Sequence, residues 1–381
     1  MSNGRVVAHV STYPPRECGI ATYTHDLIES MGKERFAHCV LAVDDGNPRP
    51  VYGPPVDYVI NTENSLDFVK AAQFVNNSDT ALVSIQHEFG IFGKSYGKRI
   101  LGFTAYLEKP FITTFHTVSA KPKRTEEKIV RELASASRYV VVALEKAAQL
   151  LTEVYDVPRI KVELIPHGAP TTDKRDGNQE KGRFGFSGRK ILLTMGLLTP
   201  AKGIEYGIMA LKRLIEEYPD ILYVVLGETH RQLGWDRESY RRKLQTLVRK
   251  LGLSQYVIFV DKFLSETEMD VYLSIADVYL APYRERGQIS SGTLTQALAL
   301  GKPVVSTPTF FAEEVVASNG GLLCRFDDAE SIVVQTRKIL SDSTLRCELE
   351  VRARRYGKET SWLASAKKYE LLFAKALGTS I

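Results

Sequence analysis

Short apolar runs alternate with segments of helical periodicity along most of the chain. A run of four to eight apolar residues predicts a strand buried on both faces, and apolar residues every three or four positions predict an amphipathic helix. The first helix is predicted to begin near Gly19 or Ile20. In the first half of the chain, the apolar runs predict strands at residues 5–10, 38–43, 81–86, 110–115, 139–143 and 162–166.

The same alternation repeats in the second half. Because strands that alternate with helices pair in parallel, each half is predicted to form a doubly wound α/β domain. The predicted strands are residues 190–195, 222–226, 257–260 and 278–281, with a further strand from Val304. The predicted helices are residues 204–218, 237–250, 266–275 and 361–377.

A polar and glycine-rich stretch, residues 171–189, separates the two halves and is predicted to be the interdomain linker. The predicted architecture is two Rossmann-like domains, residues 1–170 and 190–357, that face each other across a cleft. The last helix, within residues 358–381, has apolar residues along one side and is expected to pack back on the first domain.

One strand, helix, strand unit has the features of an anion site. Its sequence, ADVYLAPYRERGQISSGTLTQALALGKPVVSTP, runs from residue 276 to residue 308. The unpaired backbone N–H groups and the dipole of a helix N-terminus can hold a phosphate. An alternative stays open, in which the serines only cap a structural helix. The residues that open this helix are Ser290, Ser291, Gly292 and Thr293.

Polar side chains also follow the predicted strands of the first half. His87 and Glu88 follow one strand, and His116 follows the next. Open α/β sheets bind ligands at the carboxyl ends of their strands, so this shared position favours a site over three separate structural residues. Gly19, which follows the first strand, has two interpretations. It either lets the backbone approach a ligand closely or allows tight packing of the helix.

The composition limits the class of protein. The chain has 381 residues, of which 44% are apolar and 25% charged, as in a soluble globular protein with room for two domains. Its apolar runs are too short to cross a bilayer, and residues 1–10 lack the features of a signal peptide, so a cytoplasmic location is expected. The four cysteines show neither CxxC spacing nor close histidines, which indicates reduced thiols without a zinc site or a disulfide framework.

The formal net charge of +5 lies in the second half of the chain. Residues 1–168 contain 19 basic and 19 acidic side chains, and residues 169–381 contain 31 and 26. This excess favours an anionic ligand for the second domain. The basic run at residues 237–250 has the spacing of a solvated helix face, and no nucleic-acid-binding motif accompanies it, so no nucleic-acid partner is expected. Peripheral contact with a membrane stays open.

Four motifs in order resemble those of retaining glycosyltransferases of family 4, which have the glycosyltransferase-B (GT-B) architecture. The resemblance covers essentially the whole chain. It is carried by STYPPRECGIATYT near the N-terminus, IPHG at residues 165–168, MGLLTPAKGIEYGI from residue 195 and ALALGKPVVST from residue 297.

The resemblance implies transfer of a sugar from a nucleoside diphosphate donor, bound mainly by the second domain, to an acceptor hydroxyl held by the first. The anomeric configuration would be kept, and no metal or other cofactor would be needed, in agreement with the absence of a DxD triplet from the sequence. Protein groups must then neutralise the diphosphate. The donor-site residues that match the family are Gly19, Lys202, Ser291, Gly292 and Thr293, and Gly196, Ser290 and Gln296 complete the predicted donor site. Among the predicted catalytic residues, His116 matches the family's first-domain histidine and Gln288 stands at a family glutamate position, whereas His87 and Glu88 are candidates because they follow a predicted strand.

The sequence departs from the family pattern at three positions. Leu197 stands where an arginine is usual, and Gln288 and Gln296 replace two glutamates that are eight positions apart. In the family, the first glutamate contacts the donor sugar and the second holds the nucleotide ribose. Glutamine lacks the charge that strengthens such bonds, so weaker or differently specific binding is expected. Candidates for the missing phosphate contact are Arg231, Arg284 and Arg286.

Three functional hypotheses are compatible with these residues. The leading one is glycosyl transfer, in which Glu88 orients the acceptor or acts as a base, unless it is only a loop acid paired with Lys94 or Lys98. The second is a glycoside phosphorylase of the same fold, in which inorganic phosphate occupies the anion site. The third is a catalytically silent sugar- or nucleotide-binding protein. The sugar, the nucleotide base, the acceptor and the oligomeric state are not readable from the sequence.

Overall fold

The structure is a computed structural model, and it describes residues 5–32, 35–46, 50–171, 175–229 and 238–379. The chain divides into two compact units. The first unit combines Met1–Gly168 with Trp362–Ile381, and the second is Ala169–Ser361.

The first unit is built on a seven-stranded parallel sheet. Its strand order is β3-β2-β1-β4-β5-β6-β7. These strands are β1 (Arg5–Ser11), β2 (Phe36–Asp44), β3 (Val56–Asn61), β4 (Thr80–His87), β5 (Phe111–Phe115), β6 (Val140–Val142) and β7 (Val162–Leu164). The helices of this unit are α1 (Gly19–Glu29), α2 (Ser65–Asn76), α3 (Lys94–Gly97), α4 (Ile100–Tyr106), α5 (Arg124–Ala136), α6 (Glu145–Tyr155) and, from the end of the chain, α15 (Trp362–Ala376).

The second unit is built on a six-stranded parallel sheet of order β10-β9-β8-β11-β12-β13. The strands are β8 (Lys190–Met195), β9 (Ile221–Leu226), β10 (Val257–Val260), β11 (Val278–Ala281), β12 (Val304–Ser306) and β13 (Gly321–Leu323). The helices are α7 (Gly177–Arg183), α8 (Ile204–Leu214), α9 (Ser239–Lys250), α10 (Glu266–Ile275), α11 (Gly292–Ala299), α12 (Ala317–Asn319), α13 (Ala329–Ser341) and α14 (Ser343–Glu359).

Two strands were not predicted, and both lie at the edge of a sheet. In β3 (VDYVIN), the polar residues Asp57 and Asn61 leave a run of only three apolar residues, shorter than the run of four that predicts a buried strand. A strand at an edge is exposed along one side, which permits such a mixture. The strand β13 has only three residues, too few to give a pattern.

The stretch predicted as the interdomain linker, residues 171–189, contains the short helix α7. Asp176 caps this helix by accepting hydrogen bonds from the backbone N–H groups of residues 178 and 179. Its Lys181 Nζ atom lies 2.6 Å from Asp277 Oδ2, so an ion pair ties α7 to the start of β11. Part of the stretch therefore belongs to the second unit. The polar composition of this stretch does not predict a helix, because α7 is stabilised by its cap and an ion pair more than by an apolar face.

The last helix, α15, completes the core of the first unit. Its Trp362, Tyr369 and Phe373 side chains are buried in one cluster with Val7 of β1 and Tyr23 of α1. Burying a large aromatic side chain contributes on the order of 2–3 kcal/mol, so this helix is a major source of stability for the unit. Among the described residues, no helix combines the length and the apolar character that a membrane-spanning segment requires.

We predict that substitution of Gly168 by alanine destabilises the first unit by about 1–3 kcal/mol, because an added Cβ would overlap the indole ring of Trp362. The thermal unfolding midpoint should fall. Gly102→Ala in α4 is the matched control, since a Cβ there meets nothing within 4 Å. Equal thermal unfolding midpoints for the two variants would show that Trp362 of α15 does not pack against Gly168.

Candidate functional site

Each sheet has one point at which the strand order changes direction. In the first unit β1 lies beside β4, and in the second unit β8 lies beside β11. The connections on either side of such a point lead to opposite faces of the sheet, which leaves an opening at the carboxyl ends of the two strands. Most of the predicted site residues lie at or after the ends of these four strands, and His116 follows the neighbouring β5, so the topology places them at or beside the two openings.

In the second unit, an ammonium group lies near the start of α11. Lys202 belongs to the turn after β8, and Tyr283 belongs to the loop after β11. The Lys202 Nζ atom lies 3.2 Å from the Tyr283 hydroxyl oxygen and 4.4 Å from the centre of the Tyr283 ring. The same hydroxyl oxygen lies 3.3 Å from Oγ1 of Thr293, the second residue of α11. The structure thus brings Lys202 and the first turn of α11 together, and it adds Tyr283, which sequence reasoning missed.

Gly196 makes room for this arrangement. It follows β8 directly and has a φ angle of +122°, in the region that favours glycine. An added Cβ would lie 3.2 Å from Lys202 Nζ and 3.7 Å from Thr293 Cγ2. Any side chain at this position would occupy the space beside the ammonium group.

Ser291 is the N-terminal cap of α11. Its Oγ atom accepts a hydrogen bond of 3.3 Å from the backbone N–H of Leu294 and lies 3.5 Å from Oγ1 of Thr293. The capping role that the sequence left open is therefore present. A capped helix still leaves its first N–H groups without partners inside the helix, and in α11 these belong to Gly292 and Thr293. Ser290 precedes the cap and is partly buried.

The two glutamines that replace the family's glutamates lie on either side of this cap. Gln288 is in the loop before α11, where its backbone carbonyl accepts a 2.9 Å hydrogen bond from the N–H of Phe311. Its Oε1 atom is buried and, within the described part of the chain, has no hydrogen-bond partner. A buried acceptor without a partner costs about 1–3 kcal/mol, which a ligand hydroxyl would offset. Gln296 lies in the second turn of α11 and is partly buried.

The arginines considered as substitutes for the missing phosphate contact are held by carboxylates. Arg284 Nε lies 2.9 Å from Asp327 Oδ1, and Arg286 Nη2 lies 2.8 Å from Glu313 Oε1. Arg231 lies outside the described residues. Lys202 is therefore the cation that the structure places at the start of α11. No group of three or more histidine, cysteine or acidic side chains arranged for a metal ion occurs within the described ranges.

In the first unit, His116 lies at the carboxyl end of β5. Its backbone N–H donates a 3.0 Å hydrogen bond to the carbonyl of His87, and its Nε2 atom lies 2.9 Å from Oε1 of Gln86. Burial, with smaller contributions from His167 and His87, lowers the pKa of His116 to about 3. The ring is therefore neutral near pH 7. It can take part in hydrogen bonds but supplies no positive charge.

His87 was predicted as a catalytic candidate, but the structure encloses it in the core. The side chain is 0% exposed, and neither ring nitrogen has a hydrogen-bond partner among the described residues. Its ring centre lies 5.0, 5.9 and 5.3 Å from those of Phe89, Phe92 and Phe115. Burial lowers the pKa of His87 to about 3. The sequence shows a polar residue at a strand end but not that the next loop covers it.

Glu88 lies beside these histidines and is partly buried. Its Oε2 atom accepts a 2.7 Å hydrogen bond from the Thr117 hydroxyl, and its Oε1 atom accepts one of 2.9 Å from the N–H of Phe89. Burial raises the pKa of Glu88, and these two hydrogen bonds oppose that shift. Lys94, one of its two suggested partners, instead lies 3.3 Å from Glu63. Glu88 is thus held in place by neutral donors.

Tyr23 of α1 organises the rest of this region, and sequence reasoning did not assign it. Its ring contacts His116, His167 and Trp362 edge to face, with centre distances of 4.7, 5.0 and 5.0 Å. Its hydroxyl lies 3.0 Å from that of Tyr369 on α15. Tyr23 and His167 both lie inside the quoted motifs, which is the signal that could have identified them.

Gly19 is the first residue of α1, at the carboxyl end of β1. An added Cβ would meet nothing within 4 Å. Tight packing of the helix, one of its two interpretations, is therefore wrong. The backbone at this helix start is open to a ligand.

Two units, each a parallel β-sheet with helices, are the components of the GT-B fold. Solved structures of glycosyltransferases share this fold over nearly the whole chain. Sucrose-phosphate synthase from Thermosynechococcus elongatus has a TM-score of 0.81 and 18% identity over 99% of this chain and 100% of that one. Anabaena Alr3699/HepE in complex with UDP-glucose has a TM-score of 0.77 and 13% identity over 97% of this chain and 99% of that one.

The chain belongs to the GT-B glycosyltransferases by its sequence as well. The family model described as Glycosyltransferase Family 4 matches residues 18–173, and the model described as Glycosyl transferases group 1 matches residues 177–360. The two matches meet near the boundary between the two structural units.

Curated relatives are distant. The GDP-mannose-dependent alpha-(1-6)-phosphatidylinositol monomannoside mannosyltransferase of Mycolicibacterium smegmatis is 26% identical over 52% of this chain and 52% of its own length. Spore coat protein SA of Bacillus subtilis is 22% identical over 57% of this chain and 59% of its own length. The D-inositol 3-phosphate glycosyltransferase of Nocardia farcinica is 26% identical over 68% of this chain and 59% of its own length. The chain thus spans between half and three fifths of the length of each of these three relatives.

We predict that His87→Phe makes the protein less sensitive to acid. Unfolded histidine binds a proton below about pH 6.5, whereas buried His87 stays neutral down to about pH 3. The wild type should therefore lose stability as the pH falls from 7 to 5, by up to about 2 kcal/mol from this residue alone. Urea unfolding at both pH values should show a smaller loss in the variant. His25→Gln, at a side chain that is 44% exposed, is the control and should lose as much as wild type.

Proposed function

We propose that this chain is a retaining, metal-independent glycosyltransferase that moves a sugar from a nucleoside diphosphate donor to an acceptor hydroxyl. The observation that carries the proposal is the position of the Lys202 ammonium group beside the first turn of α11. The charge on the ammonium and the partial positive charge at the helix start both favour a diphosphate. Together they supply the stabilisation that a metal ion supplies in other enzymes.

The first unit supports the other half of the reaction. His116 is neutral and anchored to Gln86, so it offers a fixed hydrogen-bonding edge to a sugar without adding charge. Glu88 is held by Thr117 and has a raised pKa, which suits a carboxyl group that binds or orients a hydroxyl. The acceptor site is therefore assigned to this unit.

In the proposed reaction, the bond between the anomeric carbon and the diphosphate oxygen breaks. The acceptor oxygen forms its bond to the same carbon on the same face, so the configuration is kept. The acceptor proton passes to the departing phosphate oxygen. Lys202 and the N–H groups of Gly292 and Thr293 stabilise the charge that develops on the diphosphate.

The names of relatives suggest where a donor screen should start. GDP-mannose is the donor in the name of one relative, and UDP-glucose is bound in the Anabaena structure. Several relatives have an inositol-containing compound in their names. We therefore propose GDP-mannose and UDP-glucose as first donors and an inositol as the first acceptor. Phosphate-dependent cleavage of a disaccharide without any nucleotide would replace this proposal with a phosphorylase.

We predict that Lys202→Met raises the KM for the nucleotide sugar or lowers kcat by about a hundredfold in total, because one charged phosphate contact is lost. EDTA should leave the wild-type rate unchanged. Lys212→Met, at an exposed position on α8 of the same unit, is the matched control and should behave as wild type. Full activity of the Lys202 variant, or loss of activity in EDTA, would contradict the proposal.

We predict that Gln288→Ala weakens binding of the complete nucleotide sugar but not of the free nucleoside diphosphate. The buried Oε1 atom of Gln288 has no partner in the described structure, and the family places a donor-sugar contact at this position. The loss should be about five- to tenfold by calorimetry. An exposed glutamine on α9, Gln245, is the control for the amide truncation. Equal losses for both ligands would assign Gln288 to the nucleotide instead of the sugar.

A further inference from the structure

Tyr283 connects the two groups that the proposed function assigns to the diphosphate. Its hydroxyl oxygen is 3.2 Å from Lys202 Nζ on one side and 3.3 Å from Thr293 Oγ1 on the other. The residue is only 4% exposed, so these contacts lie in a nearly water-free setting. Hydrogen bonds in such surroundings are stronger, and polar groups there depend on their protein or ligand partners.

The direction of these hydrogen bonds follows from the chemistry of the groups. An ammonium group only donates, so the Tyr283 oxygen accepts the hydrogen bond from Lys202. The Tyr283 and Thr293 hydroxyl oxygens lie 3.3 Å apart, and either hydroxyl can donate to the other, so the single hydrogen of Tyr283 is available to an acceptor other than Lys202. A phosphate oxygen is a much better acceptor than a neutral hydroxyl because it carries charge. An anion at the start of α11 would therefore attract the Tyr283 hydrogen.

The ring of Tyr283 has a separate effect on Lys202. The Nζ atom lies 4.4 Å from the ring centre, where the negative face of the aromatic ring attracts a cation. This contact fixes the long lysine side chain even when no anion is present. The hydroxyl and the ring of Tyr283 thus act on the same ammonium group in two ways.

On these grounds we infer that Tyr283 is a phosphate-binding residue, which donates a hydrogen bond to the diphosphate of the donor and positions Lys202 through its ring. The inference rests on the proposed function and deepens it. It names a neutral phosphate contact in a chain that has Leu197 where the family usually has arginine. It also gives a reason why Arg284 and Arg286 are not required for that contact.

A pH profile separates this role from a purely structural one. Burial opposes ionisation of Tyr283, but the ammonium group of Lys202 and hydrogen bonds with Thr293 and Ser291 outweigh it, so the pKa of Tyr283 lies below its ordinary value. The other titratable groups that face it are the buried phenols Tyr279 and Tyr223. A Tyr283 phenolate would pair with Lys202 and repel a diphosphate. Anion affinity should therefore fall as the pH rises, and it should fall less in Tyr283→Phe.

The experiment compares wild type with Tyr283→Phe and Tyr283→Leu by calorimetry, with inorganic pyrophosphate, GDP and UDP as probes. Tyr283→Phe keeps the ring and loses only the hydroxyl, so pyrophosphate and the nucleotide that wild type binds should bind about tenfold more weakly. Tyr283→Leu should bind more weakly still. In turnover, the phenylalanine variant should show a raised KM for the donor and a kcat close to wild type.

Tyr218→Phe is the matched control. Tyr218 also has a lysine over its ring, with Lys190 Nζ 5.6 Å from the ring centre, but Lys190 begins β8 and lies at the opposite end of that strand from Gly196. This control should bind pyrophosphate as wild type does. Equal weakening in both phenylalanine variants would overturn the inference, because the effect would then not be specific to the site.

Failure of the inference and failure of the proposed function give different results. If wild type and Tyr283→Phe bind pyrophosphate equally and turn over a nucleotide sugar equally, the inference is wrong and the proposed function stands. If pyrophosphate binds and depends on Tyr283 but no nucleotide sugar is turned over, the phosphate role stands and the proposed function fails. If wild type binds neither pyrophosphate nor a nucleoside diphosphate, both are wrong.

Discussion

Two positive charges lie close together in the second unit, and the placement of the side chains around them depends on the repulsion between these charges. The Lys202 ammonium group approaches the N-terminus of α11, where the helix dipole is also positive. Without an anion, these charges repel each other. The structure reduces this cost by placing the electron-rich face and the hydroxyl of Tyr283 against the ammonium group. An anion bound between them would relieve this repulsion, which is the electrostatic reason for the proposed diphosphate.

Both units use the same topology for different chemistry. In each sheet, the neighbours at the switch point send their polar residues to one opening. The second unit places a cation and a helix start there. The first unit places the neutral ring of His116, a carboxyl group with a raised pKa and an edge-to-face aromatic cluster there. Positive charge is suited to a phosphate, and a neutral hydrogen-bonding surface is suited to a sugar hydroxyl.

The sequence was most informative where a single physical rule acts. Buried parallel strands must be apolar on both faces, so β8, β10 and β11 were located to the residue. The resemblance to the family, and not a physical rule, assigned Lys202 and Thr293 to one donor site although they are far apart in the chain. Rules of this kind fail where two effects compete. The strand β3 is held at an edge by pairing instead of apolar burial, and α7 is held by a cap and an ion pair.

Side-chain environment was the part that the sequence could not show. His87 is the last residue of β4 and His116 directly follows the neighbouring β5, yet among the described residues only His87 is surrounded by phenylalanines from the loop that follows it. Tyr283 follows a proline at a strand end and has no pattern that distinguishes it from a loop residue. Its importance comes from Lys202, which is 81 positions earlier in the chain.

The position of α15 has a consequence for synthesis of the protein. The ribosome makes residues 362–376 after the whole second unit, yet these residues supply Trp362, Tyr369 and Phe373 to the core that contains Val7. Most of the first unit is therefore synthesised before the second unit, but its core is completed only afterwards. During translation the first unit must wait with an apolar surface uncovered while the second unit can already fold, so nascent chains have a reason to depend on chaperones until residues 362–376 have been made.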